Sequence, residues 1–447
     1  MEFHEIPTIN DTTVSSEDEV VRSRLQKLGQ PVFINGETVE DRKQRLHSLL
    51  NDDAIEEDQN GEEEDDEFDE DEDEDEEFYT PASEELYDIR RHVLSDSLQK
   101  SSDRLKIQRQ IVQNNPDYTT FLKQRRDLNS KISKIDLYGS QFLPGNTRAI
   151  SSVKFNRNGK LIACGSWDGS LHILESNNLS PIIKPSQNQH QEKIGSLDWK
   201  MNEDVLISGG GEGTINLWNI EENSTETVLK PKFTIKDAHT NRITKTEFHP
   251  INQYAISTSF DQTWKLWDLI KQVEIYQQEG HSKEVFCGSI HPDGSLYLSG
   301  GLDGIIYVWD LRSGKCLMPL QKHIQGIYGL DWSPNGYNFA SGSGDSTIKI
   351  WDMRKLNHSG DEISTIPAHK KLISGLKYYK SDDEKSGNIL MSSSYDGTIN
   401  LWSVNNWIKV NTLQGTNDKV MSCDITTIDN EITVVGSGWD RTVKLWK

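Results

Sequence analysis

Cysteine is scarce in this chain, and the little there is shows no paired spacing. Cys164, Cys287, Cys316 and Cys423 are the only four in 447 residues, and no CxxC occurs among them. That excludes a disulfide-stapled fold and fits small buried residues in a reducing compartment. Apolar runs are short as well. None approaches membrane-spanning length and no signal-peptide pattern opens the chain, so an intracellular, soluble protein with no membrane partner is expected. Metal-ligand spacings, a P-loop and a nucleophile elbow are missing too. Neither an enzyme nor a cofactor, a metal or a small-molecule substrate is expected.

Basic residues are absent from one stretch. Between Asp52 and Glu77 stand 20 acidic residues and no Lys or Arg; without them the formal charge of −23 becomes −3. The low pI therefore reports one local tract, which self-repulsion should keep disordered, and it does not exclude an anionic partner elsewhere.

What the chain has in abundance is repetition. "SFDQTWKLWDL" around Asp261 recurs as "GLDGIIYVWDL" around Asp303, "GSGDSTIKIWDM" around Asp345 and "SYDGTINLWSV" around Asp396. Weaker copies surround Asp168, Glu212 and Asp440, making seven at spacings of 44, 49, 42, 42, 51 and 44 residues. Each joins period-2 apolar patterns through an acidic, Gly- or Asn-rich turn. The pattern resembles the WD-repeat family, which implies an all-β, seven-bladed β-propeller of four-stranded blades.

A second register runs through the copies. Ser208, Ser257, Ser299, Ser341 and Ser392 stand four residues before the turn acid. Trp218, Trp267, Trp309, Trp351, Trp402 and Trp446 stand six after it. His190, His239, His281 and His323 precede it by 22 residues, and His369 lies further upstream of Asp396. Asp can accept from the His ring, Ser can bridge, and Trp offers one N–H, so the set reads as a linked structural network. It imitates a Ser-His-Asp triad, but a nucleophile repeated in five blades with five bases does not make one active site. Blades 1 and 7 break the register, with Asn146, Cys164 and Leu174 in one and Thr416 and Gly436 in the other, and Glu212 alters blade 2. These blades are expected to be looser.

The chain before the propeller divides into residues 1–28, expected to be disordered; a short motif at 29–50; an acidic linker at 51–79; and a basic helical region at 80–136. In the motif Thr38 can cap a helix with Leu46, Leu49 and Leu50 on one edge. In the basic region a helix begins at Thr80-Pro81 with Leu86, Ile89, Val93, Leu94 and Leu98 as its apolar stripe. Asn114-Asn115-Pro116 breaks it, and a second helix over Asp117–Asp136 carries Tyr118, Phe121, Leu122, Leu128, Ile132 and Ile135 on one face. From Arg90 to Lys134 there are 11 basic residues against four Asp, a clustered surface of the kind that contacts RNA phosphates. No RRM, KH or zinc signature accompanies it, so base-specific readout is not suggested.

On the propeller, the residue before the turn acid should sit at the rim of the narrow face. Trp167, Phe260, Tyr395 and Trp439 occupy it in blades 1, 3, 6 and 7, whereas blades 2, 4 and 5 carry Gly211, Leu302 and Gly344. Near the inner strands Arg148, Lys193, Arg242 and Lys419 add positive charge. One sector of the face should be aromatic and basic, as protein interfaces are, and the opposite sector bland.

A closer resemblance rests on the following segments, together with "SPNGYNFASGSGDSTIKIWDMR". "QPVFINGETVEDRKQRL" and "FYTPASEEL", then "EGHSKEVFCGSIHPDGSLYLSGGLDGIIYVWDLRSGKC", resemble the WD-repeat splicing factors of the U4/U6 small nuclear ribonucleoprotein, the Prp-four family, from about Gly29 onward. The resemblance implies a nuclear scaffold of pre-mRNA splicing in the U4/U6 snRNP and the U4/U6·U5 tri-snRNP. It implies a Prp-three-type partner on the propeller, and U4 and U6 RNA near the N-terminal half. Its RNA candidates here are Arg90, Arg91, Arg104, Lys106, Arg109, Lys123, Arg125 and Arg126. The protein-docking candidates, taken from blade register, are Trp167, Phe260, Tyr395, Trp439 and Arg441 with Arg148, Lys193 and Arg242. A rival reading, a substrate receptor of a cullin-type ubiquitin ligase, rests on the WDxR pattern in Val308–Arg312 and Ile350–Arg354.

The final segment "SGWDRTVKLWK" breaks off after a third strand, one short of a full blade. The missing strand is expected from about Leu137–Leu143, pairing with Thr442–Trp446 to close the ring.

Overall fold

The computed structural model describes residues 84–114, 118–182, 190–220, 231–356, 362–380, 387–404, 406–415, 418–428 and 431–447, with 21–22, 25, 38–39 and 41–46. The acidic tract, Thr80-Pro81 and Thr416 lie outside the described residues, as do the side chains of Tyr118 and Phe121. Residues Met1–Tyr79 and Thr80–Lys447 form two separate units. In the first, Thr38 caps the helical residues 41–46. Its hydroxyl donates to the Asp41 carboxylate at 2.7 Å, and the Asp41 amide donates back to Thr38 Oγ1 at 3.3 Å. Val21, Leu25 and Leu46 are buried together.

The second unit is a ring of seven antiparallel sheets, six four-stranded and one three-stranded among the described residues. Second strands such as Tyr254–Ser259 are buried at every position, because neighbouring blades cover both their faces. Outer strands such as Val273–Gln278 remain largely open to solvent. In all seven acidic turns the next residue is left-handed: Gly169, Gly213, Gly304 and Gly397, but also Gln262, Ser346 and Arg441, at φ between 66° and 85°.

The ring closes as the unfinished C-terminus suggests. Leu137–Phe142 pairs antiparallel with Thr442–Trp446, with a bulge between Leu137 and Gly139. Backbone bonds of 3.0 and 3.1 Å between Asp136 and Lys447 extend the pairing. Leu143, Val443 and Leu445 are buried with Ile150 and Leu174 at the seam of blades 7 and 1.

Two helices pack on the ring, Glu84–Asn114 and Tyr118–Ile132. The second ends four residues before the expected Asp136, since the chain must turn there to enter the closing strand. Of the expected stripe on the long helix, Leu86, Ile89 and Val93 are buried, but Leu94 and Leu98 are 40% and 57% exposed. Ile89 and Val93 join Tyr254, Trp264 and Trp309 of blades 3 and 4. On the shorter helix and just beyond it, Leu128, Ile132 and Ile135 join blades 6 and 7, while Leu122 is exposed.

Candidate functional site

The acidic turns and the connections between blades share one end of the strands, since each blade's strands are antiparallel. At that end the histidine networks form in blades 2 to 6. In blade 3 His239 lies 2.7 Å from both Asp261 Oδ2 and Ser257 Oγ, and Trp267 Nε1 donates to the same Ser257 oxygen at 2.7 Å. Blades 4, 5 and 6 repeat the set at 2.7–3.0 Å through His281, His323 and His369 with Asp303, Asp345 and Asp396. In blade 2 Glu212 replaces the aspartate, 2.5 Å from His190. The chain of donors runs Trp N–H to Ser oxygen, Ser O–H to His Nε2, and His Nδ1–H to carboxylate, so every polar atom is met. Burial opposes ionisation of Asp261, but bonds from His239 and Thr263 outweigh it and hold the carboxyl at about 2. The serines are buried at 0–1% exposure with both hydroxyl functions in use. Blade 1 substitutes a different set, with Ser166 Oγ donating to Asn146 Oδ1 at 2.6 Å and Asp168 accepting from the Thr147 amide at 2.9 Å.

Above these networks the expected aromatic sector is present, and it extends further. Trp167 and Trp439 meet edge to face at 5.0 Å. Lys419 lies 5.0 Å from both the Tyr395 and the Trp439 ring, Lys193 lies over Trp167, and Arg242 lies 3.5 Å over Phe260. Phe286 then contacts Phe260 at 6.3 Å and Tyr328 at 4.9 Å. Blades 4 and 5 are therefore not bland; their rings come from the second residue of the inner strand, not from the residue before the turn acid. Scanning that position, occupied by Ser151, Gly195, Thr244, Phe286, Tyr328, Ser374 and Met421, would have found both. Most of these rings and cations line one cavity of about 350 Å³ at the mouth of the central channel. Arg441 points instead to Phe142 of the closing strand, 5.4 Å away, and Arg148 is exposed at the edge.

The basic helix residues divide into two groups. Arg104 does not face solvent. It makes a forked bond to Asp293 at 2.6–3.2 Å, donates to the Asn335 carbonyl at 2.5 Å and stacks on Tyr337. Arg90 lies over Tyr276, and Arg125 Nε donates to Ser403 Oγ at 3.3 Å. Three of the eight candidates thus anchor the helices to the ring, which charge counting could not reveal. Arg91, Lys106, Arg109, Lys123 and Arg126 are exposed. Asp293, Asn335 and Gly314, which the long helix touches, sit in loops at the strand ends opposite the acidic turns. The helices and the aromatic ring therefore occupy opposite faces.

Comparison with known proteins follows the same division. The family description "pre-mRNA processing factor 4 (PRP4) like" matches residues 21–49, eight residues upstream of the expected start. WD-domain repeats match 272–310, 314–352, 360–403 and 407–447, and the propeller of DDB1- and CUL4-associated factor 12 matches 132–263. The U4/U6 small nuclear ribonucleoprotein PRP4 of Saccharomyces cerevisiae is 42% identical over 97% of this chain and 90% of its own length. A U4/U6 small nuclear ribonucleoprotein PRP4-like protein of Arabidopsis thaliana is 32% identical over 48% of this chain and 39% of its own. A DDB1- and CUL4-associated factor 11 homolog of Caenorhabditis briggsae is 26% identical over 34% of this chain and 27% of its own. With similarity to one relative spanning the N-terminal motif and all seven blades, this chain belongs to the PRP4 family of WD-repeat proteins.

Proposed function

We propose that this protein is a non-enzymatic scaffold of the U4/U6 snRNP and the tri-snRNP in nuclear pre-mRNA splicing. A partner snRNP protein of the Prp-three type docks on the aromatic–cation ring. U4/U6 RNA runs along the outward basic residues Arg91, Lys106, Arg109, Lys123 and Arg126. One observation carries the reading: the helices are anchored on one face and leave the aromatic ring open on the other, so two partners can bind without competing. Arg90, Arg104 and Arg125 drop out of the RNA set because each guanidinium is already engaged with the propeller, Arg90 over the Tyr276 ring and the other two through hydrogen bonds. The yeast relative, a U4/U6 small nuclear ribonucleoprotein, supports the assignment.

The cullin-receptor reading is favoured by the match of 132–263 to a CUL4-associated propeller. Against it, Arg312 and Arg354 of the WDxR segments are each bidentate to their own Asp310 and Asp352, at 2.8–3.0 Å. They also lie at the end of the strands where the long helix packs. A pulldown from nuclear extract with RNA sequencing separates the two. Recovery of U4 and U6 RNAs is expected; recovery of a cullin adaptor without RNA would overturn the proposal.

A further inference from the structure

Below the aromatic ring, the inner strands carry charged and hydroxyl side chains around the central channel. Four are carboxylates, and each accepts a backbone N–H from the inner strand of the following blade. Asp198 binds Phe248, Glu247 binds Ile290, Asp331 binds Tyr378 and Asp424 binds Phe155, at 2.6–3.0 Å. The acids are thus held to the wall as ties between blades, and Asp331 is further paired with Lys377 and Lys380.

Two lysines have no such partner. Lys154 and Lys245 line the cavity of about 350 Å³, and among the described residues neither ammonium is ion-paired or hydrogen-bonded. Ser289 lines it too, 1% exposed, with its hydroxyl unpaired. Burial, and then the nearby charge of Lys154, pull Lys245 down to about 8, against the opposing pull of Glu247 and Asp198. At the mouth stand Lys193 and Arg242. A cavity of this volume holds several waters at about 30 Å³ each, or one compact anion in their place.

We infer that the channel is a binding site for a small phosphate-class anion, held by the Lys154 and Lys245 ammonium groups and the Ser289 hydroxyl. Such an anion links blades 1, 3 and 4 from inside and gives two half-buried lysines and the buried Ser289 hydroxyl the partners they lack. The site lies within the same cavity whose mouth carries the aromatic–cation ring, and no residue of the two helices lines it.

Calorimetric titration of the full chain with inorganic phosphate and with pyrophosphate tests this. One-to-one binding is expected, with Kd raised about tenfold or more in Lys245→Met and in Lys154→Met, as loss of a charge-assisted bond implies. Ser289→Val should weaken binding less, and Arg109→Glu on the helix should leave it unchanged. Circular dichroism establishes that each variant is folded; if one is not, the other lysine decides. Absence of binding to the wild type would overturn the site. So would wild-type affinity in both lysine variants with loss in Arg109→Glu, which would put the anion on the helices.

Discussion

Five times around the ring, one buried serine oxygen accepts a tryptophan N–H while its proton goes to a histidine. Removing that oxygen leaves two groups unmet, and an unmet buried donor costs about 1–3 kcal/mol. Ser341→Ala should therefore lose about 2–3 kcal/mol in chemical denaturation, since Trp351 and His323 both depend on it. Arg104→Ala should lose about 2–4 kcal/mol, because it leaves the Asp293 carboxylate, with 6% of its side chain exposed, without its forked partner. Exposed Arg109→Glu should change stability by less than about 0.5 kcal/mol. Charge reversal of Lys106 together with Arg109 isolates RNA contact from folding, because neither side chain anchors the helix as Arg104 does. Acid should act in two stages. His249 donates to the Gly294 carbonyl and accepts from Ile251, so burial holds its pKa at about 4, below the ordinary 6.5. Asp261 falls from 3.8 to about 2. Both folded values are depressed, so their contribution is present above the ordinary pKa and lost as pH falls through the folded one. Urea midpoints should fall between pH 6.5 and 4, then again between 3.8 and 2, and Asp261→Asn should blunt the second fall.

At the scale of elements, the long helix shows what periodicity carries and what it omits. Leu86, Ile89 and Val93 were legible as a buried stripe, because an apolar face at helical spacing must find cover. Leu94 and Leu98 share the spacing, but the side on which the helix meets the ring is set by Arg104 and Arg90, whose partners lie 189 and 186 residues away. Long-range pairing of that kind leaves no trace in a local window. The same holds for Phe286 and Tyr328: strand period places them, yet only blade-to-blade packing turns their rings into the mouth of the channel. Turn chemistry was legible, since an acid followed by Gly announces a left-handed turn. The exceptions carry strain of about 1 kcal/mol each. Ser346→Gly should raise stability by about 0.5–1 kcal/mol in thermal or urea unfolding, because the Ser346 backbone alone is used there. A loss of stability would show that the serine side chain holds the turn.

At the scale of the whole molecule, seven blades close only if the last finds its fourth strand, and the seam is where the ring opens most easily. Leu137–Phe142 contributes little burial of its own, with Leu137 55% and Phe142 48% exposed. Its contribution is to pair with Thr442–Trp446 and to bring Leu143 against Val443 and Leu445. Without it, a third strand bearing Val443, Leu445 and Trp446 becomes a bare edge, and each of these side chains stands to lose about 1.5–3 kcal/mol of burial where water reaches it. Replacing Leu137–Leu143 by a Gly/Ser segment of equal length keeps the tether to the helices and removes only the pairing. The variant should melt about 5–10 °C below the wild type and be cut by protease first in blade 7. Truncation before Thr442 should do the same from the other side. Phe142→Ala, which spares the backbone ladder, should melt within about 2 °C of the wild type. If the Gly/Ser variant melts with the wild type, the ring is held by its other six seams and the C-terminal pairing is incidental to stability.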